Sequence, residues 1–194
     1  MVQVVAFIKK APEQLGMSPA TYKRRGKGEA IRYTSANSPL GYLTIAATTR
    51  GICSVKLGDD LTKLENELRN EFRYALLHRA DDKLQEWILQ ALVDYLSGKL
   101  PLPELPYDVK ATAFQLQVWE ALKQIPLGTI VSYSDVACAI GHPTAVRAVA
   151  RACATNPVAL IIPCHRVLPK TGGLGGYRWG VSLKQALLEM EQQL

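Results

Sequence analysis

Between residues 31 and 58 apolar and polar residues alternate, with interruptions at Ser38-Pro39 and Arg50-Gly51. Alternation with a period of two is typical of strands with one buried face, and proline and glycine mark the turns between them. The pattern therefore predicts two or three antiparallel strands.

Two later segments change to helical spacing. Leu61, Leu64 and Leu68 recur behind Asp60, a favourable N-cap residue, and a second amphipathic helix ends at Gly98. The apolar positions of the second helix include Trp87, Ile88, Leu92 and Tyr95. Strands followed by helices predict an α+β domain with a small antiparallel sheet.

Three prolines at positions 101, 103 and 106 divide the chain. Proline at this density prevents a helix, so we interpret the segment as an extended linker between two domains. The predicted organisation is a basic tail over residues 1–30, an α+β domain over 31–106 and a mainly helical domain over 107–194.

The second half begins with a helical pattern that includes Val118 and Leu122 and ends before Pro126. A helix-turn-helix is predicted further on, in SDVACAIGHPTAVRAVARACATN. Its first helix runs over residues 135–140, the chain breaks at 141–143, and Thr144 is expected to cap a second helix that ends at Ala154.

The second of these helices places Arg147 and Arg151 one turn apart on one face. Such a face fits a nucleic-acid contact, and it equally fits a surface helix with two solvated arginines. The local sequence leaves both interpretations open.

Charge is distributed unevenly along a chain whose formal net charge is +6. Residues 1–32 have seven Lys/Arg against two Asp/Glu, residues 33–110 have nine against eleven, and residues 111–194 have seven against four. A basic tail and a basic C-terminal half are compatible with a polyanionic partner.

No apolar run approaches the roughly 18 residues of a transmembrane helix. The N-terminal segment MVQVVAFIKK is short and has its charges after the apolar residues, unlike a secretory signal. We therefore expect a cytoplasmic protein without a membrane partner.

Four cysteines are scattered through the chain, without a C-x-x-C pair. Isolated cysteines in a chain of this size predict free thiols in a reducing compartment. We expect Cys53, Cys138 and Cys153 to be packed as small apolar residues.

Cys164 has a different setting in the stretch IIPCHRVLPKTGGLGGYRWG, where it follows Pro163 and precedes His165, Arg166 and a loop with four glycines. Simple packing is one interpretation. A zinc site is another, although no Cys/His pair has the spacing that structural zinc favours.

A hydrolytic Cys–His pair needs direct contact, which an extended chain prevents for the neighbours Cys164 and His165. The last interpretation is a thiolate that attacks an alkyl carbon in an SN2 step. It needs a lowered thiol pKa and a proton relay, which His165 could provide through a water.

The longer segment NPVALIIPCHRVLPKTGGLGGYRWGVSLKQALLEME resembles the active-site half of the O6-alkylguanine-DNA alkyltransferases. The Pro-Cys-His-Arg-Val core, the upstream Asn-Pro, the downstream Gly-Tyr and the closing Leu-Leu-x-x-Glu share that family's spacing. The resemblance extends through FQLQVWEALKQIPLGTIVSYSDVA and AVRAV, and so covers residues 111–194. It implies a ribonuclease H-like N-terminal domain and a winged-helix-like C-terminal domain.

The resemblance implies a single-turnover methylated-DNA–protein-cysteine methyltransferase that transfers alkyl groups from O6-alkylguanine, and from O4-alkylthymine, without a metal or other cofactor. Cys164 would be the acceptor, His165 the water-mediated base and Glu191 its supporting carboxylate, with Glu189 the less well spaced alternative. Asn156 would hold the turn between the helix and the active-site strand, and Tyr133 would bond the base or crowd its phosphate.

It also implies how a monomer would bind duplex DNA in the minor groove without sequence preference. Arg147 would replace the flipped base, beside Arg151 and a helix face of small residues comprising Ala145, Ala148 and Ala152. The carbonyls of Cys164 and Val167 would contact the guanine amino group. The loop at Tyr177 and Arg178 would close over O6, although the family often has a small hydroxyl residue where Arg178 stands.

Residues 15–34, LGMSPATYKRRGKGEAIRYT, are similar to the end of the AraC-type module that precedes the alkyltransferase in bacterial Ada proteins. A DNA-binding module without transfer chemistry is therefore the rival interpretation, as an Ada-like regulatory fragment or an alkyltransferase-like damage sensor. Cys164 argues against the sensor, whose family lacks that thiol.

Overall fold

The computed structural model describes residues 25–80 and 83–194. Most of the predicted basic tail lies outside these residues. Its resemblance to an AraC-type module therefore stays a prediction.

Four strands form the N-terminal sheet, in the order β3-β2-β1-β4. They are β1 (Ala30–Ser38), β2 (Gly41–Ala47), β3 (Ile52–Gly58) and β4 (Leu76–Arg79). The first three are antiparallel neighbours, as the alternation predicts. β4 pairs in parallel with β1, so the sheet is mixed. Sequence reasoning missed β4 because four residues at an exposed edge show no alternation.

Helices α1 (Leu61–Glu71) and α2 (Lys83–Leu96) accompany this sheet. Asp60 caps α1 as predicted, since its carboxylate accepts a hydrogen bond from the Lys63 amide at 3.1 Å. Ile88, Leu92 and Tyr95 of α2 are buried. Trp87 was expected on the same face, but it is 41% exposed, because the helix turns that position toward solvent.

The C-terminal half is mainly helical, as predicted. Its elements are α3 (Ala113–Lys123), β5 (Val131–Ser132), α4 (Tyr133–Ala139), α5 (Val146–Ala154), a 3-10 turn (Cys164–Arg166), β6 (Val167–Leu168) and α6 (Val181–Glu191). Helices α4 and α5 pack against each other and against α3. They form the predicted helix-turn-helix.

The predicted cap of α5 is wrong. The amide of Ala145 bonds to the His142 carbonyl at 2.9 Å, so Thr144 lies inside a tight turn. The Ala145 carbonyl then accepts the first helical bond, from Val149 at 3.0 Å, and no side chain caps the helix. The turn shifts the start of the helix beyond Thr144.

One hydrophobic cluster joins the two halves of the molecule. It contains Leu43 of β2, Leu92 of α2, Trp119 of α3 and Val149 of α5. The amide of Val55 in β3 also donates to the Pro157 carbonyl at 2.9 Å. The sheet therefore supports the chain segment that leads to Cys164. Across the described ranges, no helix is both long and apolar enough to span a bilayer.

Candidate active site

A tight loop, and not the expected strand, leads from α5 to Cys164. Leu160 is buried with φ of 70°, a left-handed conformation that non-glycine residues rarely adopt. Asn156 holds this loop as predicted. Its side chain donates to the Ile162 carbonyl at 2.8 Å and accepts from the Val158 amide at 3.0 Å.

Cys164 and His165 belong to one 3-10 turn, so the expectation of an extended chain at this point is wrong. Pro163 ends the preceding loop, and the turn directs the two neighbouring side chains to different partners. The Asn156 side-chain amide donates to Cys164 Sγ at 3.3 Å. His165 contacts Glu191.

The thiol of Cys164 is buried, with 3% of the residue exposed. Burial raises the pKa of this thiol, against the opposing effects of the Asn156 hydrogen bond and of the charges on Lys184 and Arg178. The lowered pKa that an SN2 step would need is therefore absent from the Cys164 thiol in this state. Cys164 is a protonated thiol at neutral pH, and it must lose its proton before it can act as a nucleophile.

His165 and Glu191 form a buried pair, with 2.7 Å between His165 Nε2 and Glu191 Oε1. Because the carboxylate accepts from Nε2, the lone pair of the neutral ring lies on Nδ1. Nδ1 has no hydrogen-bond partner within the described part of the chain. Burial lowers the pKa of His165 in spite of the Glu191 hydrogen bond, so the ring is neutral and able to accept a proton.

Arg166 completes the surroundings of Glu191. Its Nε donates to Oε2 and its Nη2 to Oε1, each at 2.9 Å. Burial alone would raise the pKa of Glu191, but hydrogen bonds from His165 and Arg166 lower it to about 2. Glu189 is exposed and bonds to Gln185. The geometry therefore selects Glu191 over Glu189 as the partner of His165.

Lys184 is a buried residue that sequence reasoning missed. Its Nζ donates to the carbonyls of Val167 at 2.8 Å and Leu174 at 2.7 Å. Burial lowers the pKa of Lys184. Its spacing to Leu187, Leu188 and Glu191 on the inner face of α6 was a signal that could have identified it.

The carbonyls expected to contact guanine already have internal donors. The Val167 carbonyl accepts from Lys184, and the Cys164 carbonyl accepts from the Val167 amide. Each carbonyl oxygen has two lone pairs, so one acceptor position remains on each.

Tyr133 and Tyr177 both lie beside the thiol. Burial raises the pKa of Tyr133 to about 12, with smaller effects from Cys153 and Cys164. The Tyr177 hydroxyl is buried without a hydrogen-bond partner among the described residues, and burial raises its pKa well above its usual value. Gly175 has φ of 65°, and a Cβ there would lie 3.0 Å from Pro169. Glycine therefore allows the loop to pack closely against Pro169.

Arg178 contacts the loop at Asn156 and the neighbouring Trp179, and its predicted place over O6 stays a prediction. Its Nη1 donates to the Asn156 carbonyl at 3.4 Å, and its guanidinium lies 5.6 Å from the centre of the Trp179 ring. Arg178 and Trp179 line an open cleft of about 660 Å³ that also includes Lys56 and Glu71.

The outer face of α5 has the expected arginines. Arg147, Ala148 and Arg151 are exposed, and Ala145 is partly exposed. Ala152 was expected on this face, but it is 2% exposed, and its carbonyl accepts from the Trp119 indole at 3.0 Å. Helical spacing places Ala152 with Val149 on the inner side.

The remaining cysteines divide into two groups. Cys53 and Cys153 are buried free thiols, as expected. Cys138 is exposed, so its predicted packing is wrong: its position on the short helix α4 faces solvent, whereas Val136 and Ala137 face the core. Within residues 25–80 and 83–194, no group of three or more potential metal ligands comes together.

Comparison with known proteins identifies the family to which the chain is similar. Family models described as the ribonuclease-like domain and the DNA binding domain of 6-O-methylguanine DNA methyltransferase match residues 31–109 and 113–193. The inducible methylated-DNA–protein-cysteine methyltransferase of Bacillus subtilis is 41% identical over 150 residues, which cover 77% of this chain and 83% of that protein. The crystal structure of Mycobacterium tuberculosis OGT in complex with DNA superimposes with a TM-score of 0.70 at 33% identity, covering 84% of this chain and 93% of that one.

The bifunctional transcriptional activator/DNA repair enzyme Ada of Escherichia coli is 46% identical over 97% of this chain. The chain spans about half of that relative, 53% of its length. The thiol turn, its His–Glu pair and the helix-turn-helix occupy the regions that these family models cover, and the chain belongs to the family of 6-O-methylguanine DNA methyltransferases.

Proposed function

We propose that this protein repairs O6-alkylguanine in duplex DNA by transferring the alkyl group irreversibly to Cys164, one group per molecule. The observation that supports this most directly is the buried thiol next to a neutral histidine whose Nε2 is engaged by Glu191 and whose Nδ1 is open. The names of the relatives agree, since they describe DNA repair and methyl transfer to a protein cysteine.

The chemistry balances without a metal or other cofactor. Cys164 Sγ attacks the alkyl carbon, the sulfur–carbon bond forms, and the bond from that carbon to O6 breaks. The thiol proton passes through a bridging water to His165 Nδ1, while Glu191 stabilises the imidazolium. The guanine that has lost its alkyl group takes up one proton, which the His165 imidazolium returns through the water, so the ring ends neutral.

Tyr133, Tyr177 and Asn156 have supporting roles in this proposal. Asn156 donates to the sulfur and so favours the thiolate as the proton leaves. The buried Tyr177 hydroxyl without a partner among the described residues and the half-buried Tyr133 are assigned to contact with the extruded base. Because the Val167 carbonyl retains an acceptor position, it can still accept from the guanine amino group.

The target oxygen lies inside a duplex, so the nucleotide must be extruded at a cost of a few kcal/mol. We assign this step to α5. Exposed Ala148 allows the helix to approach a narrow groove, and Arg147 fills the space that the base leaves. Arg151 contacts the phosphate backbone in this arrangement. A monomer is sufficient, because Cys164 and α5 lie in one chain.

The decisive experiment uses a duplex with a radiolabelled methyl group on O6 of one guanine. Wild type is expected to take up close to one label per molecule, and Cys164→Ala none. Cys53→Ala is a matched control, because Cys53 is also a buried thiol but lies in the N-terminal sheet. Absence of label on wild type, or equal label on Cys164→Ala, would exclude alkyl transfer and favour a DNA-binding module.

A further inference from the structure

Tyr95 belongs to the N-terminal domain, but its side chain reaches the candidate active site of the C-terminal domain. It belongs to α2, it is 1% exposed, and its hydroxyl donates to Glu191 Oε1. The same oxygen accepts from His165 Nε2. One side chain of the N-terminal domain therefore contacts the carboxylate that holds the histidine beside Cys164.

We propose that Tyr95 is a positioning residue for alkyl transfer, because its hydroxyl fixes the Glu191 carboxylate in the orientation that directs His165 Nδ1 toward the Cys164 thiol. This inference rests on the proposed function. It assigns a part of the reaction to the N-terminal domain, whereas the residues proposed above to contact the base belong to the C-terminal domain.

The geometry supports a positioning role because each carboxylate oxygen of Glu191 accepts from its own set of donor atoms. Oε2 accepts from Arg166 Nε at 2.9 Å and from the Gly128 amide at 3.3 Å. Oε1 accepts from Tyr95 and His165, and from Arg166 Nη2 at 2.9 Å. Tyr95 therefore holds Oε1 from the α2 side and shares this oxygen with His165 and Arg166.

Tyr95 also determines how strongly Glu191 attracts the proton of His165. A carboxylate oxygen that accepts from a phenol has less negative charge available for the imidazolium. Removal of the phenol therefore stabilises the protonated ring and raises the pKa of His165. The charged or titratable groups around His165 and Glu191 are Tyr95 from α2, Arg166 and Cys164 from the 3-10 turn, Tyr177 from the loop, and Lys184 from α6.

The test is the pH dependence of His165 protonation, followed by NMR of its ring protons, together with the rate of benzyl transfer from free O6-benzylguanine. In Tyr95→Phe the acidic limb of the rate profile and the His165 titration should both move up by about one pH unit, the scale of one lost hydrogen bond. Unchanged profiles would overturn the proposal, even if the variant melted at a lower temperature.

Tyr107→Phe is the matched control. Its hydroxyl also donates to a glutamate, Glu120, but the pair is on the surface of α3. This substitution should leave both pH profiles unchanged. A shift of equal size in Tyr107→Phe would mean that any loss of a tyrosine hydroxyl perturbs the site, and would overturn the specific role of Tyr95.

A second variant keeps the test valid if Tyr95→Phe fails to fold. 3-Fluorotyrosine at position 95 has nearly the same shape but is a stronger donor, so it should move both profiles to lower pH. A shift to higher pH or no shift would overturn the proposal. If wild type transferred no alkyl group at all, the proposed function would fail, and the His165 titrations would still decide the role of Tyr95.

Discussion

The thiol pocket, formed by Cys164, Asn156, His165, Glu191 and Lys184, differs in kind from the outer face of α5. In the pocket all five residues are buried and hydrogen-bonded, and burial shifts the pKa values of Cys164, His165 and Lys184. On α5, Arg147 and Arg151 are exposed to solvent. In the proposed function, the chemistry uses groups that the fold constrains, and DNA contact uses groups that the fold leaves accessible. Substitutions in the pocket should alter stability and reactivity, whereas those on α5 should alter affinity and its salt dependence.

Glu191→Gln should have the largest effect. It leaves the Arg166 charge mostly buried without its carboxylate, and should lower the free energy of unfolding by about 3 kcal/mol at pH 7 in urea titrations. Glu120→Gln is the control, because that carboxylate is 55% exposed and should change stability by less than about 0.5 kcal/mol. Equal effects would show that the pocket does not constrain its charges more than the surface does.

The stability that Glu191 contributes should depend on pH in a defined window. Its pKa is about 2 in the folded protein against an ordinary value of 4.5, so the folded state binds the proton more weakly than the unfolded state. The difference in unfolding free energy between wild type and Glu191→Gln should be constant above about pH 5. It should shrink as the pH falls toward 2. A difference that stayed constant down to pH 2 would contradict the lowered pKa.

Lys184→Met keeps the length of the side chain but removes the charge and two hydrogen bonds to buried carbonyls. We expect a loss of about 2 kcal/mol in unfolding free energy. Because the Lys184 charge opposes the raised pKa of Cys164, its loss should also slow iodoacetamide alkylation by about tenfold at fixed pH. Exposed Lys170, in the loop that follows β6, provides the control Lys170→Met. Similar reactivity in both variants would remove Lys184 from the pocket's function.

Arg147→Ala should weaken binding to duplex DNA by about tenfold and leave benzyl transfer from free O6-benzylguanine unchanged. Fluorescence anisotropy at several salt concentrations measures both the affinity and the number of released counterions. Arg69→Ala, on α1 and 57% exposed, should bind like wild type. If Arg147→Ala slowed transfer from the free base as much as repair of DNA, the separation between pocket and helix face would be wrong.

Arg178→Ala should have the smallest effect. Its long hydrogen bond to the Asn156 carbonyl and its partial stacking on Trp179 are both at the surface, so stability should change by less than about 0.5 kcal/mol. Repair rates on O6-methylguanine duplexes should stay within about threefold of wild type. A loss greater than tenfold would instead support direct contact between Arg178 and O6.

The sequence predicted the fold class well, because strand alternation and helical spacing are local signals. The Pro-Cys-His-Arg motif is also local, and the acceptor role that it indicates for Cys164 stays a prediction. The sequence also predicted the pairing of His165 with Glu191, which depended on family spacing. It failed where structure depends on distant contacts. The parallel edge strand β4, the buried side of Ala152 and the exposed side of Cys138 are set by tertiary packing.

Two further features of the site could not be predicted, each for a different physical reason. The raised pKa of Cys164 depends on how completely the thiol is desolvated, and no sequence pattern reports that quantity. Tyr95 is 96 residues from Glu191 along the chain, so helical spacing showed its inward direction without showing its partner. Lys184, by contrast, could have been found from the inner face of α6.

The buried, protonated state of Cys164 determines how long each molecule stays usable. Oxidants and stray electrophiles react with exposed thiolates, so a desolvated thiol is consumed slowly in the absence of a damaged base. Under the proposed single-turnover function, a cell's repair capacity would equal the number of molecules whose thiol is still intact. The depth of the pocket would then govern the durability of that reserve, and α5 would govern how quickly it is used.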